Sequence, residues 1–105
     1  MSIRRATVDV EMKRKSSGFQ IAISGRKDGS IEAVYLAVSG NKIARTDEII
    51  EDHMLVDYDR NGRMVGVEIL APVRLRDVTG LVDVRSRAPL RRFLRRSVPQ
   101  EFVSS

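Results

Sequence analysis

The sequence predicts an α+β fold: an antiparallel β-meander of about six strands followed by one or two C-terminal helices. Three observations predict it. Residues 6–70 break into short runs in which apolar and polar positions alternate, the period of a strand with one buried face. Clusters of Gly, Ser, Asn and Asp separate those runs, and Asn61-Gly62 is the strongest hairpin signal among them. After Leu70 the apolar spacing lengthens, and Leu90, Phe93, Leu94 and Val98 form a helical stripe opposite Arg91, Arg92, Arg95 and Arg96.

In chain order, Ala6, Val8, Val10 and Met12 alternate with Thr7, Asp9 and Glu11, which gives a first strand over 6–12. Lys13-Arg14-Lys15-Ser16-Ser17-Gly18 follows as a charged loop. Phe19, Ile21 and Ile23 mark the second strand, and Asp28-Gly29 marks the turn after it. Ile31 to Val38 is apolar at almost every position after Glu32, as expected of a central strand buried on both faces. Ser39-Gly40-Asn41-Lys42 reads as a turn. Ile43 to Ile50 carries Arg45, Asp47 and Glu48, so one of its faces is wet.

Residues 53–58 and 64–70 flank Asn61-Gly62 as two further strands. A two- or four-residue loop places Tyr58, Val56 and Met54 on one face with Val65, Val67 and Ile69. A three-residue loop would set Met54 against Glu68 and Asp57 against Val65, so the pattern disfavours it. The same stretch matches the calcium-loop pattern D-x-[DN]-x-[DN]-G-x5-E through Asp57, Asp59, Asn61, Gly62 and Glu68. Such a loop lies between two helices. Both flanks here have period two and are rich in β-formers, so the hairpin is the better reading.

Beyond Leu70, Pro72 suits the first turn of a helix, and Leu75, Val78, Leu81 and Val82 recur at helical spacing. Gly80 weakens that helix, and Leu81 to Val84 fits a short strand as an alternative. In the second helix Ser86 or Ala88 can cap, Pro89 stands near the first helical position, and Pro99 ends it. Ser97 with Gln100 can cap one more turn carrying Phe102 and Val103.

The run DYDRNGRMVGVEIL is similar to the core motif of the DUF2283 family, small prokaryotic β-rich domains of unknown function. That motif is Asp-Tyr-Asp, a turn with Gly, two apolar residues, then Gly-Ile-Glu-Ile-Leu. IEAVYLAVSGNKIARTDEI resembles the family's first hairpin, an Asp-Ala-Leu-Tyr-Ile type strand followed by a Thr-containing one. The resemblance covers about residues 31–70, and His53 stands near where the family usually has Gly. It implies a β-rich fold and transfers no catalytic residue.

A length of 105 residues suggests one domain over 1–105, with an N-terminal basic hairpin (1–30), the family-like β core (31–70) and an Arg-rich helical segment (71–105). Apolar residues make up 42% of the chain, so the core is mostly aliphatic in the absence of Trp. No cysteine is present, which removes disulfides, thiolate metal sites and a cysteine nucleophile. MSIRRATVDVEMKRK lacks a signal-peptide core and no run reaches membrane-spanning length, so a cytoplasmic protein with no membrane partner is expected. The net charge of +5 is unevenly spread: +5 over 1–27, −5 over 28–70 and +5 over 71–105. The basic arms suit the acidic centre of the same or a neighbouring chain, or a polyanion.

His53 is the lone histidine and cannot build a multi-histidine metal site. It can act as a base beside Asp57, and Asp57, Asp59 and Glu68 can form an acid–base pair. No nucleophile, oxyanion donor or phosphate loop accompanies them, so they read instead as a polar hairpin face, and no catalytic residue, metal or cofactor is assigned. Gly66 inside a strand signals a bulge or a close backbone approach, or a dent opposite Asp57. The expected function is a small non-catalytic protein-interaction module, a homodimer or other homo-oligomer. The alternative is a nucleic-acid-binding accessory whose Arg91, Arg92, Arg95 and Arg96 contact a polyanion or an acidic partner, with an antitoxin-like role as what the family resemblance implies.

Overall fold

The computed structural model describes the backbone of residues 10–16 and the whole of residues 18–105. The strand expected over 6–12 therefore lies partly outside the described residues. Among those described, six strands form one antiparallel sheet: β1 (Val10–Ser16), β2 (Phe19–Gly25), β3 (Ile31–Ala37), β4 (Arg45–Ile50), β5 (Met54–Tyr58) and β6 (Met64–Ile69). Then come β7 (Val73–Arg74), α1 (Leu75–Thr79), α2 (Val84–Ser97) and β8 (Val103–Ser104), and β7 and β8 pair in parallel. The fold class is α+β, as the sequence predicts.

The sheet order is β1-β2-β3-β6-β5-β4, which departs from a meander at one place. β3 and β4 do not pair. The chain leaves β3, crosses the end of the later hairpin, and returns through β4 and β5 so that β6 lies beside β3, a Greek-key arrangement. Ser39–Lys42 is a crossover where the sequence suggests a hairpin turn. Composition explains the outcome. β3 is apolar on both faces and takes two paired neighbours, while charged β4 takes the rim.

Lys13-Arg14-Lys15 lies in β1 and not in a loop: Ser16 faces Phe19, leaving only Ser17 and Gly18 between the strands. The turn after β2 follows expectation. Asp28 Oδ1 accepts from Ser30 N at 2.9 Å, and Gly29 has φ +91°.

One sheet face carries Ile21, Val34, Leu36, Val67, Ile69, Val56 and Met54, all buried. α2 lays Leu90, Phe93 and Leu94 onto it, and α1 adds Leu75 and Val78. Phe19 and Phe93 meet with ring centroids 5.8 Å apart. Phe102 and Val103 close the far end after a turn in which Pro99 O accepts from Phe102 N at 3.0 Å.

α2 begins at Val84, five residues before Pro89, which sits inside the helix. Asp83 precedes the first turn with extended backbone and accepts from Ser86 N and Oγ, so the sequence choice of Ser86 or Ala88 as cap is corrected to Asp83. Leu81 and Val82 pass between the helices as a turn, not a strand.

Leu94 is fully packed and Arg92 is exposed. Leu94→Ala should lower stability by about 2–4 kcal/mol in a urea titration. Arg92→Ala should change it by less than about 0.5 kcal/mol in the same experiment. Equal losses from both would mean that α2 does not dock through its apolar stripe.

Candidate functional site

The region around Asn61-Gly62 is a hairpin flanked by strands. Asp59 N donates to Arg63 O at 2.8 Å and Gly62 N to Asp59 O at 3.0 Å, so three residues, Arg60 to Gly62, form the loop. Gly62 supplies the left-handed turn position at φ +79°. This is the loop length the pattern disfavours. One extra residue reconciles the two. Tyr58 faces Met64, Asp57 faces Gly66, and Val65 between them is a bulge. The bulge restores Val56 opposite Val67 and Met54 opposite Ile69, as expected from the sequence; Tyr58 opposite Val65 is the pairing that is lost.

Asp59 is buried against this turn. Its Oδ1 accepts from Asn61 N and Arg63 N, both at 2.9 Å, and its Oδ2 from Asn41 Nδ2 at 3.0 Å. Amide donation from Arg63 is the largest of the effects that hold this carboxyl below the ordinary aspartate range; burial opposes it, and Asn41, Asn61 and the Arg63 charge reinforce it. Asn41 belongs to the crossover. So do Val38 and Ser39, whose amides both donate to the bulge carbonyl Val65 O. Turn and bulge together clamp the segment that carries the chain from β3 to β4.

Asp57 is fully buried on the sheet face away from the helices. Tyr35 Oη donates to its Oδ2 at 2.7 Å and Thr46 Oγ1 to its Oδ1 at 2.5 Å. Tyr35 stands on β3 and Asp57 on β5, so the phenol must cross β6. It crosses above Gly66, which faces both Ala37 and Asp57. A Cβ at Gly66 would lie 2.6 Å from Tyr35 Cζ and 2.8 Å from Leu36 O, so any side chain there collides with ring and backbone. The dent opposite Asp57 exists and Tyr35 fills it. Glu68, also buried, stands on β6 opposite Tyr35 and Leu55.

The four polar residues singled out from sequence do not converge. Asp57 and Glu68 share one sheet face, whereas Asp59 is consumed by the turn. His53 lies at the opposite end of β5, where its Nδ1 is 2.8 Å from Glu51 O. A carbonyl only accepts, so that nitrogen carries the proton. His53 instead borders a cleft of about 430 Å³ with Ile50, Pro72, Arg74, Arg76 and Asp77. A larger cleft of about 770 Å³ lies between the β2–β3 turn and the end of α2, lined by Ile23, Arg26, Ile31, Pro99 and Phe102 among others. Among the described residues no group of three His, Asp or Glu side chains is placed to hold a metal ion. Sequence reasoning missed Tyr35, Thr46 and Asn41; the strand glycine Gly66 was the one signal that pointed toward them.

The α2 arginines split as the helical stripe requires. Arg92, Arg95 and Arg96 are exposed and Arg91 is half-buried. Outside α2, Arg45 lies with its guanidinium 4.5 Å from the Tyr58 ring centroid and 3.2 Å from Asp47 Oδ2. No helix among the described residues is long and apolar enough to cross a membrane.

Residues 28–71 match the sequence model of a family described as a protein of unknown function, DUF2283. The match spans β3 to β6, and so contains Tyr35, Asn41, Thr46, Asp57, Asp59 and Gly66 together. No curated protein and no solved structure matches the chain.

Two outcomes follow from this geometry. Gly66→Ala should destabilise by more than about 2 kcal/mol, and Tyr35→Ala combined with it should cost clearly less than the sum of the two single changes; additive losses in denaturant titrations would separate the ring from the glycine. The Asp59 carboxyl is lowered on folding, so its contribution is fully present above the unfolded value of about 3.9 and disappears as pH falls through the folded one. Asp59→Asn should therefore flatten the acid limb of the stability–pH curve below about pH 4.

Proposed function

We propose that this chain is a small non-catalytic interaction module that acts by self-association, with the outer edge of β4 as its contact. One observation carries the reading. β4 ends the sheet, and no described strand pairs with its outer side. Two isoleucines stand exposed along that rim, Ile43 at 42% and Ile49 at 46%. An edge strand with unpaired backbone groups and exposed aliphatic side chains is a template for a further strand. The polar groups that chemistry would require support the same reading. Asp57 and Asp59 are already engaged by donors from neighbouring strands and the turn. The proposal keeps the cytoplasm as the compartment.

A second reading, a nucleic-acid-binding accessory of antitoxin-like type, is favoured by the exposed arginines of α2. Arg92 and Arg96 lie one turn apart on its outer surface, at a spacing suited to successive phosphates.

Sedimentation at micromolar concentration tests the first reading: a dimer or higher species is expected, and a monomer in both low and high salt removes it. For the second reading, affinity for duplex DNA or single-stranded RNA should fall steeply with salt and weaken several-fold in Arg92→Ala/Arg96→Ala. Binding that ignores both salt and the double substitution would exclude phosphate recognition by α2.

A further inference from the structure

We propose that the partner at the β4 edge is a second copy of this chain, paired antiparallel in one register centred on Thr46; the inference rests on the self-association reading above. The geometry of edge pairing restricts the choices. A two-fold axis that joins two copies of one strand edge to edge stands perpendicular to the sheet, and it keeps the apolar face of both copies on the same side. Facing residues in an antiparallel pair point to the same face. The axis must then pass through a residue facing its own copy, and not between residues, because a one-residue slip would turn each apolar face over.

Few residues can occupy that axis, and charge separates them. Centring on Arg45 sets two guanidinium groups against each other. Asp47 or Glu48 at the axis sets two carboxylates together. Like charges directly opposite are destabilising. At Thr46 the axis residue is uncharged, and the charged residue on either side of it meets an opposite charge. Arg45 faces Asp47 of the second copy and Asp47 faces its Arg45, so the contact holds two ion pairs. One step further Ala44 faces Glu48. Toward the ends the strict register lapses, because β4 bulges between Glu48 and Ile50; Ile49 and Ile43 there flank the paired segment as exposed aliphatic rim. One register thus sets each charge beside the axis against its opposite.

The free chain is prepared for this exchange. Arg45 Nε lies 3.2 Å from Asp47 Oδ2 along the same strand, with the two side chains 58% and 43% exposed. An ion pair between residues two apart on an exposed strand is weakly held in water. Tyr58 meanwhile fixes the guanidinium at the sheet rim, 4.5 Å from its ring centroid. On pairing, Arg45 exchanges its own Asp47 for that of the second copy without leaving Tyr58.

Two charge variants of the full chain test the register. In Arg45→Asp both carboxylates of each copy oppose those of the other, and in Asp47→Arg both guanidinium groups do. Each variant alone should dimerise at least about tenfold more weakly than the parent. An equimolar mixture should recover the parent's affinity to within a few-fold, because every opposed pair is then of opposite sign. Since the chain has no cysteine, Thr46→Cys supplies a second readout. It should oxidise to a disulfide-linked dimer, because the two copies of an axis residue face each other within bridging distance, whereas Lys42→Cys should not. A parent dimer whose affinity is indifferent to both charge variants, or a Thr46→Cys variant that dimerises like the parent yet fails to cross-link, overturns the register and leaves self-association standing. A parent that stays monomeric overturns both.

Discussion

A carboxyl group taken out of water must be met by donors, and in this chain that requirement reaches across the sheet. Asp57 is fully buried on β5, and donors from β3 and β4 meet it: the Tyr35 and Thr46 hydroxyls. β4 reaches β5 through a hairpin, whereas β3 stands two strands away, across β6. Placing Tyr35 and Thr46 on either side of Asp57 fixes the order β3-β6-β5-β4 as firmly as the backbone ladders do. Gly66 belongs to the same constraint, since the phenol reaches its acceptor only through the space that a Cβ would take.

The strand-turn texture, the burial of β3, the docking face of α2 and the β5–β6 hairpin were all legible in the sequence, because each is written in a period of two or about four residues. What was not legible is non-local. Nothing in Ser39–Lys42 distinguishes a tight turn from a crossover; the distinction lies in Asn41 meeting Asp59 and in two amides meeting Val65 O. The three-residue loop escaped for a related reason. Reading faces from alternation assumes an unbroken register, and the bulge at Val65 breaks it once. At α2, Pro89 looked like a start signal, but Asp83 receiving Ser86 begins the helix a turn and a half earlier.

Asp57 and Asp59 both have structural occupations in the fold. Asp59 looked like a cation ligand because it repeats the acid spacing of a calcium loop, yet its oxygens serve amides of the turn and the crossover. The same residue types at the same spacing can thus hold a metal between helices or a backbone between strands, and the flanking periodicity decides which. The two faces of the sheet divide accordingly: aliphatic packing under the helices, and a polar lattice on the other side that ties strands to one another.

The crossover also has a temporal side. β3 is apolar on both faces, and the strand that covers its inner edge, β6, begins at Met64, well after β3 ends at Ala37. A chain emerging from the ribosome therefore presents β3 with β2 already available and its other edge vacant until the hairpin of β5 and β6 has been made. The hairpin forms from near neighbours and is quick, whereas its docking onto β3 closes a much longer loop. Synthesis thus leaves an interval in which an aliphatic strand waits half-sheltered, and the docking of the finished hairpin onto β3 ends it.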